Sequence, residues 1–133
     1  QGSGYKVYYR DSDGDGWGNA NDSKTLCQAY SSWSVTSPGD CCDVDGNAKP
    51  GQNGWYQSKN NCGTWDYNCN NSVQYEYDKD DSGDCSGTFW VCDSDSGWHG
   101  STPVECGVTQ GWVTGCSGFS CNENTSNRTQ RCR

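Results

Sequence analysis

Asp11-Ser12-Asp13-Gly14-Asp15-Gly16-Trp17-Gly18 sets carboxylates at every second position and follows them with glycine, the arrangement by which a loop wraps its oxygens around one hard cation. Asp is short enough to point into a tight loop, and carboxylates a few ångströms apart repel one another unless a divalent ion sits between them. The stretch therefore predicts a calcium loop in which the ion is part of the fold. On the twelve-position calcium-loop pattern, Asp11, Asp13 and Asp15 take the first, third and fifth places, Gly16 the sharp turn and the Trp17 carbonyl the seventh. Asn19 and Asp22 fall at the ninth and twelfth, where Asp22 replaces the usual bidentate Glu. No helical pattern flanks the loop, so the loop chemistry is expected without an EF-hand.

Composition explains why an ion would be needed. The chain has a single Leu, Leu26, no Ile or Met, two Phe and a net charge of -8, so an aliphatic core is not available. Eleven Cys, seven Trp and eight Tyr stand in its place, as covalent staples and large flat apolar surfaces. So many cysteines point to disulfides and to an oxidising compartment, outside the cell or at its surface. Zinc fits poorly, because there is no C-x-x-C pair and His99 is the sole histidine. The pairing among Cys27, Cys41, Cys42, Cys62, Cys69, Cys85, Cys92, Cys106, Cys116, Cys121 and Cys132 is not readable from spacing. An odd count leaves one thiol over, and the adjacent Cys41 and Cys42 are the expected place for the imbalance. No apolar run approaches the roughly 18 residues of a membrane span, and a chain beginning Gln1-Gly2-Ser3 reads as a mature, exported form.

Frequent Gly, Asn, Ser and Asp interrupt any helical period, so the fold class expected is small, mainly β or irregular, disulfide-rich and calcium-stabilised, with little or no helix. Strand candidates are the aromatic or β-branched runs 5–10, 32–36, 73–77, 88–92, 111–114 and 127–132. Residues 1–72 hold most of the Asp-rich loops and 73–133 a Cys-rich β segment, which gives a soft boundary between two lobes.

Two further knots repeat the oxygen pattern. Asp40-Cys41-Cys42-Asp43-Val44-Asp45 can lend Asp40, Asp43 and Asp45 to the first ion or to a second one. Asp66-Tyr67-Asn68-Cys69-Asn70 offers Asp66, Asn68 and Asn70, with Glu76 nearby to close a site. The plain alternative is that such residues form solvated turns. Magnesium is disfavoured because it keeps its waters.

Tyr8 through Gly18, then Asp40-Cys41-Cys42-Asp43, Pro50-Gly51 and Asp66-Tyr67-Asn68-Cys69, resemble the metal-binding repeat of bacterial MopE-type surface proteins over residues 5–72. The resemblance implies a bacterial, secreted or surface-attached protein whose repeat binds calcium. Cys42 and Asn70 stand where that family has Asp, and His99 lies outside the matched region, so copper is not implied. Trp112-Val113-Thr114-Gly115-Cys116, Cys121 and Arg128-Thr129-Gln130-Arg131-Cys132 resemble, more faintly, a thrombospondin type 1 module over 106–133. That likeness implies Trp rings stacked on Arg guanidinium groups, with Gln130 in place of one Arg.

Function is then narrowed by chemistry. His99 with Asp95 and Ser94 or Ser101 lacks a nucleophile elbow, and the abundant carboxylates are committed to cation loops where they stay ionised, so no enzyme is expected. A net charge of -8 repels nucleic acid. The function expected is a non-enzymatic extracellular calcium-binding structural protein: a spacer, adhesive or self-assembling subunit of a bacterial surface layer or filament. Its partners would be further copies of the chain or other surface components. Two rivals remain: a calcium-dependent carbohydrate-binding module using Trp17, Trp33, Trp55, Trp65 or Trp98, and a stapled protease inhibitor. Asn21, Asn70, Asn124 and Asn127 each head an N-x-Ser/Thr glycosylation pattern.

Overall fold

The computed structural model describes residues 4–133, which form a small protein of strands and irregular turns, without helix among the described residues and with five disulfides. The chain forms two compact units, one from residues up to 54 with 59–74 and 133, the other from 55–58 and 75–132.

In the first unit, β1 (Lys6–Arg10) lies between β2 (Asn19–Leu26) and β3 (Trp33–Val35), antiparallel to both. The pairing of Arg10 with Asn19 makes 11–18 the loop of a hairpin. β2, sequence NANDSKTL, has almost none of the residue types that favour strands. It is extended because the loop turns the chain back along β1, and as an edge strand it tolerates a polar surface. The return is close: a Cβ on Gly18 would lie 2.3 Å from the Tyr9 Cβ. From residue 36 the unit is irregular and is held by Cys41–Cys69 and Cys42–Cys62. Asn60, 4% exposed, ties one turn: its Oδ1 accepts from the amides of Cys62 and Thr64, and its Nδ2 donates to the Thr64 hydroxyl and the Asp66 carbonyl.

The second unit contains the hairpin of β4 (Asp84–Thr88) and β5 (Val91–Asp95) and a sheet in which β7 (Thr109–Ser117) lies between β6 (Gly97–Trp98) and β8 (Asn122–Thr129). Its core is aromatic. Trp98 and Trp112 meet edge to face at 5.1 Å, Val104 joins them, and Tyr77 packs against both indoles. Cys85–Cys116, Cys92–Cys121 and Cys106–Cys132 close the unit. Gly83 and Gly97 face each other backbone to backbone, so a Cβ on Gly97 would come within 2.5 Å of the Gly83 amide nitrogen.

Several expectations need correction. Cys41 and Cys42 are both bonded, to different partners, and the unpaired thiol is Cys27, exposed just past the end of β2. The run 88–92 is centred on a turn: Thr88 pairs with Val91, and Phe89 and Trp90 occupy the two loop positions with φ of 59° and 67°. The run 73–77 contributes an isolated bridge from Tyr75 to Cys132 and no strand. Aromatic content marked these runs, but the hairpin register left Phe89 and Trp90 outside the ladder.

Gln130 is wholly buried, and its amide bridges two segments: Oε1 accepts from the Tyr77 amide while Nε2 donates to the carbonyls of Tyr77 and Val104. Replacing Gln130 with Leu keeps the bulk but strands those groups, each at about 1–3 kcal/mol. Thermal and urea unfolding of Gln130→Leu should show a loss of about 3 kcal/mol or more; an unchanged midpoint would show that the buried amide does not hold these segments.

Candidate metal centre

The loop closing the β1–β2 hairpin is organised around its own carboxylates. Asp11 accepts from the amides of Gly14 and Asp15 through Oδ1 and from Gly16 through Oδ2, at 2.7 to 3.2 Å. Asp13 Oδ1 accepts from the Asp15 amide and Asp15 Oδ1 from the Trp17 amide. Gly14 and Gly16 have φ of 80° and 92°, conformations that glycine adopts without steric cost. The three side chains thereby turn inward, with one oxygen from each lying within 4.8 Å of the others.

The second knot arrives at the same place. Asp43 accepts from the Ser12 amide at 2.7 Å and from the Ser12 hydroxyl at 2.8 Å, which binds it to the first loop. Asp40 Oδ1 accepts from the Cys42 amide. Asp13, Asp40 and Asp43 form a second group with oxygens within 4.8 Å of one another, so Asp13 belongs to both. Cys41–Cys69 and Cys42–Cys62 anchor the residues between Asp40 and Asp43 covalently. A group of Asp40 with Cys41 and Cys69 is also close, but its sulfurs are joined to each other and cannot act as thiolate ligands.

One oxygen on each of three carboxylates is left over. Asp13 Oδ2, Asp15 Oδ2 and Asp40 Oδ2 are buried and accept no hydrogen bond. Burial raises the pKa of all three above the carboxylate norm, reinforced at Asp13 by the charge of Asp15 and at Asp15 by that of Asp11. Asp40 is pushed up to about 6, by burial first and then by the charges of Asp15, Asp13 and Asp43, against the opposing hydrogen bond from Cys42. Buried anionic oxygens without a donor are costly, and a hard cation satisfies several of them at once. By donor chemistry, an all-carboxylate set with no nitrogen or thiolate suits a hard cation such as calcium.

Other expected ligands are elsewhere. Asp22 lies within β2, because strand pairing begins at Asn19 and draws the chain straight; its oxygens meet Arg10 and the Trp33 indole N–H. Asp45 spends both oxygens on the amides of Asn47 and Asn61. Asp66 caps the amides of Asn70 and Asn71, and Asn70 Oδ1 accepts from the Ser72 amide and hydroxyl. Glu76, expected to close a third site, is ion-paired with Arg131. Only Asn68 Oδ1 of that knot is buried without a partner. The Trp17 ring lies over Gly39, where an added Cβ would meet it at 3.7 Å. The role of Ser12 had no signal in the sequence, since a Ser beside an Asp is common in any turn.

The remaining candidates are also placed. His99 pairs with Glu123, not with Asp95. Trp98, offered as a sugar-stacking ring, is fully buried, and Trp33 is covered by the Lys24 ammonium at 3.5 Å. Asn21, Asn70, Asn124 and Asn127 are all exposed. In comparisons with known proteins, no family model, no curated protein and no solved structure matches this chain.

The raised carboxylates give a pH signature with a definite sign. A folded pKa of about 6 at Asp40 against 3.8 means that the native state holds the proton more tightly, so the contribution of Asp40 to metal-free stability is greatest below pH 3.8 and falls as pH rises through about 6. Melting of the metal-free protein over this range, compared with Asp40→Asn, should show that decline in the parent and a shallower one in the variant. Identical profiles would remove Asp40 as its source.

Proposed function

We propose that the chain is a non-enzymatic, calcium-binding structural protein of an extracellular or cell-surface setting, acting as a spacer, adhesive or self-assembling subunit. The observation that carries this reading is the trio of buried oxygens without hydrogen-bond partners on Asp13, Asp15 and Asp40. The resemblance of residues 5–72 to the MopE-type repeat supports the same ion and a bacterial surface origin. Asp11, Asp13, Asp15, Asp40 and Asp43 are the proposed acidic donors, with the Trp17 carbonyl retained from the loop pattern. An ion there would link the hairpin loop to the disulfide-anchored knot. The disulfide set requires an oxidising environment. No helix among the described residues is long and apolar enough to cross a membrane.

Exposed apolar surface supports the assembling or adhesive role. Phe89, Trp90 and Val91 at the β4–β5 tip are 69%, 72% and 75% exposed, and Phe119 beside them is 50% exposed. Phe89 meets Phe119 edge to face at 4.9 Å, and Cys92–Cys121 braces the tip. Large side chains at two successive left-handed positions cost roughly 1–2 kcal/mol each, which favours a contact role over a merely structural one. Exposed Cys27 offers a covalent link to another chain in the first unit.

Calorimetric titration of chelator-treated protein should give a calcium-dependent rise in melting temperature, with magnesium much weaker. Asp13→Asn and Asp40→Asn should each lower calcium affinity by about tenfold or more, since each removes charge from the ligand set. A melting curve indifferent to both chelator and calcium would sink the metal reading.

The tip gives a separate test. Replacing Phe89-Trp90 by Asn-Gly, the pair best suited to a two-residue hairpin loop, should stabilise the protein by about 1–2 kcal/mol while reducing self-association in sedimentation. Unchanged sedimentation would remove the tip from assembly.

A further inference from the structure

An open cleft of about 280 Å³ lies in the second unit, lined by Gln57, Glu76, Tyr77, Arg128, Thr129 and Arg131. Its two cations differ. Arg131 gives Nε and Nη2 to the carboxylate of Glu76, with the Nε bond at 2.6 Å, and is neutralised. Arg128, on β8 opposite Gln110, has its guanidinium carbon 4.6 Å from the Trp112 ring centre and 5.1 Å from that of Tyr77. Among the described residues its guanidinium forms no hydrogen bond or ion pair.

Arg10 and Arg131, by contrast, each pair with a carboxylate, whereas Lys24, like Arg128, lies over an aromatic ring. A stack that served only to cover Trp112 would leave the guanidinium edges equally able to pair with a carboxylate of the chain. Contact with the rings supports the guanidinium beside a buried indole, while its N–H donors lie in its own plane and remain available. The charge of the cleft, counting Arg128, Arg131 and Glu76, is +1 within a chain of -8. One surplus positive charge matches a monoanion and discriminates against polyanions, which the rest of the chain repels. A planar carboxylate accepts two parallel N–H bonds from a guanidinium edge. The exposed Gln57 amide supplies a further donor in the same cleft.

We propose that this cleft binds a single carboxylate group, with Arg128 as the principal donor and Gln57 as an auxiliary one. The same chemistry is offered by an acidic sugar and by the free carboxyl end of a peptide. Neither depends on the calcium reading.

The test is an NMR titration of the disulfide-intact, full chain at constant calcium, following the Arg128 side-chain Nε–H. D-Glucuronate and N-acetylglycine serve as probes, with D-glucose as the uncharged control. Shifts centred on Arg128 and Gln57, saturating in the millimolar range typical of such small ligands, are expected with at least one acid and not with glucose. Preference for glucuronate assigns an acidic sugar, and preference for N-acetylglycine a peptide terminus. Arg128→Lys retains the charge and a cation over the rings but loses the planar fork, and should weaken binding about tenfold. Gln57→Ala, at an exposed position away from the core, should weaken it about threefold with an unchanged melting temperature. No saturable shift with either acid, equal shifts with glucose, or affinity unchanged in both variants would overturn the proposal.

Discussion

Covalent closure is the constraint on which the rest of this structure depends. Sequence separations of 20 to 31 residues give each disulfide a loop long enough to remove much freedom from the unfolded chain, about 3–4 kcal/mol apiece on the chain-entropy account. In the first unit the fully buried side chains are few, among them Cys42 and Ala48, so apolar burial alone does not hold the irregular segment after β3. Adjacent Cys41 and Cys42 send their bonds to Cys69 and Cys62, which fixes the backbone on both sides of the acidic knot. Asp40 and Asp43 are thereby held in a place that their own charges oppose.

That opposition connects the staples to the proposed ion. Hydrogen bonds within the hairpin loop satisfy one oxygen each on Asp13 and Asp15, and the Cys42 amide satisfies one on Asp40. The second oxygen of each is buried and has no donor. Disulfides impose the geometry, and a bound cation would offset the repulsion among these carboxylates. Asp22, Asp45 and Asp66 carry the same side chain, but each is taken up by a sheet contact or a turn, and none belongs to the clusters.

The second unit solves the shortage of aliphatics differently. Two indoles pack edge to face, a phenol meets Trp98 edge to face and Trp112 at a tilt, and Arg128 stacks on the Trp112 and Tyr77 rings. Gln130 supplies a buried amide that bonds to two segments at once. Such a core depends on direction, because edge-to-face rings and amide bonds tolerate little displacement. Phe89, Trp90 and Phe119 lie outside it, exposed on a braced turn.

Composition was enough to exclude helix and an aliphatic core, because those follow from which residue types are present. The inward arrangement of Asp11, Asp13 and Asp15 was also legible, since the ligand spacing of a tight loop is a local property of consecutive residues. Contacts between distant segments were not. Pairing of Cys41 with Cys69, the freedom of Cys27, the bond from Ser12 to Asp43 and the loss of Asp22 to β2 each depend on which stretches meet in space. A strand as polar as β2 is extended by its neighbour and not by its own residues, so the point where the calcium-loop pattern stops could be seen only once β1 was paired. Local chemistry is written residue by residue, whereas a disulfide partner, a sheet register and a buried oxygen without a donor are properties of the folded neighbourhood.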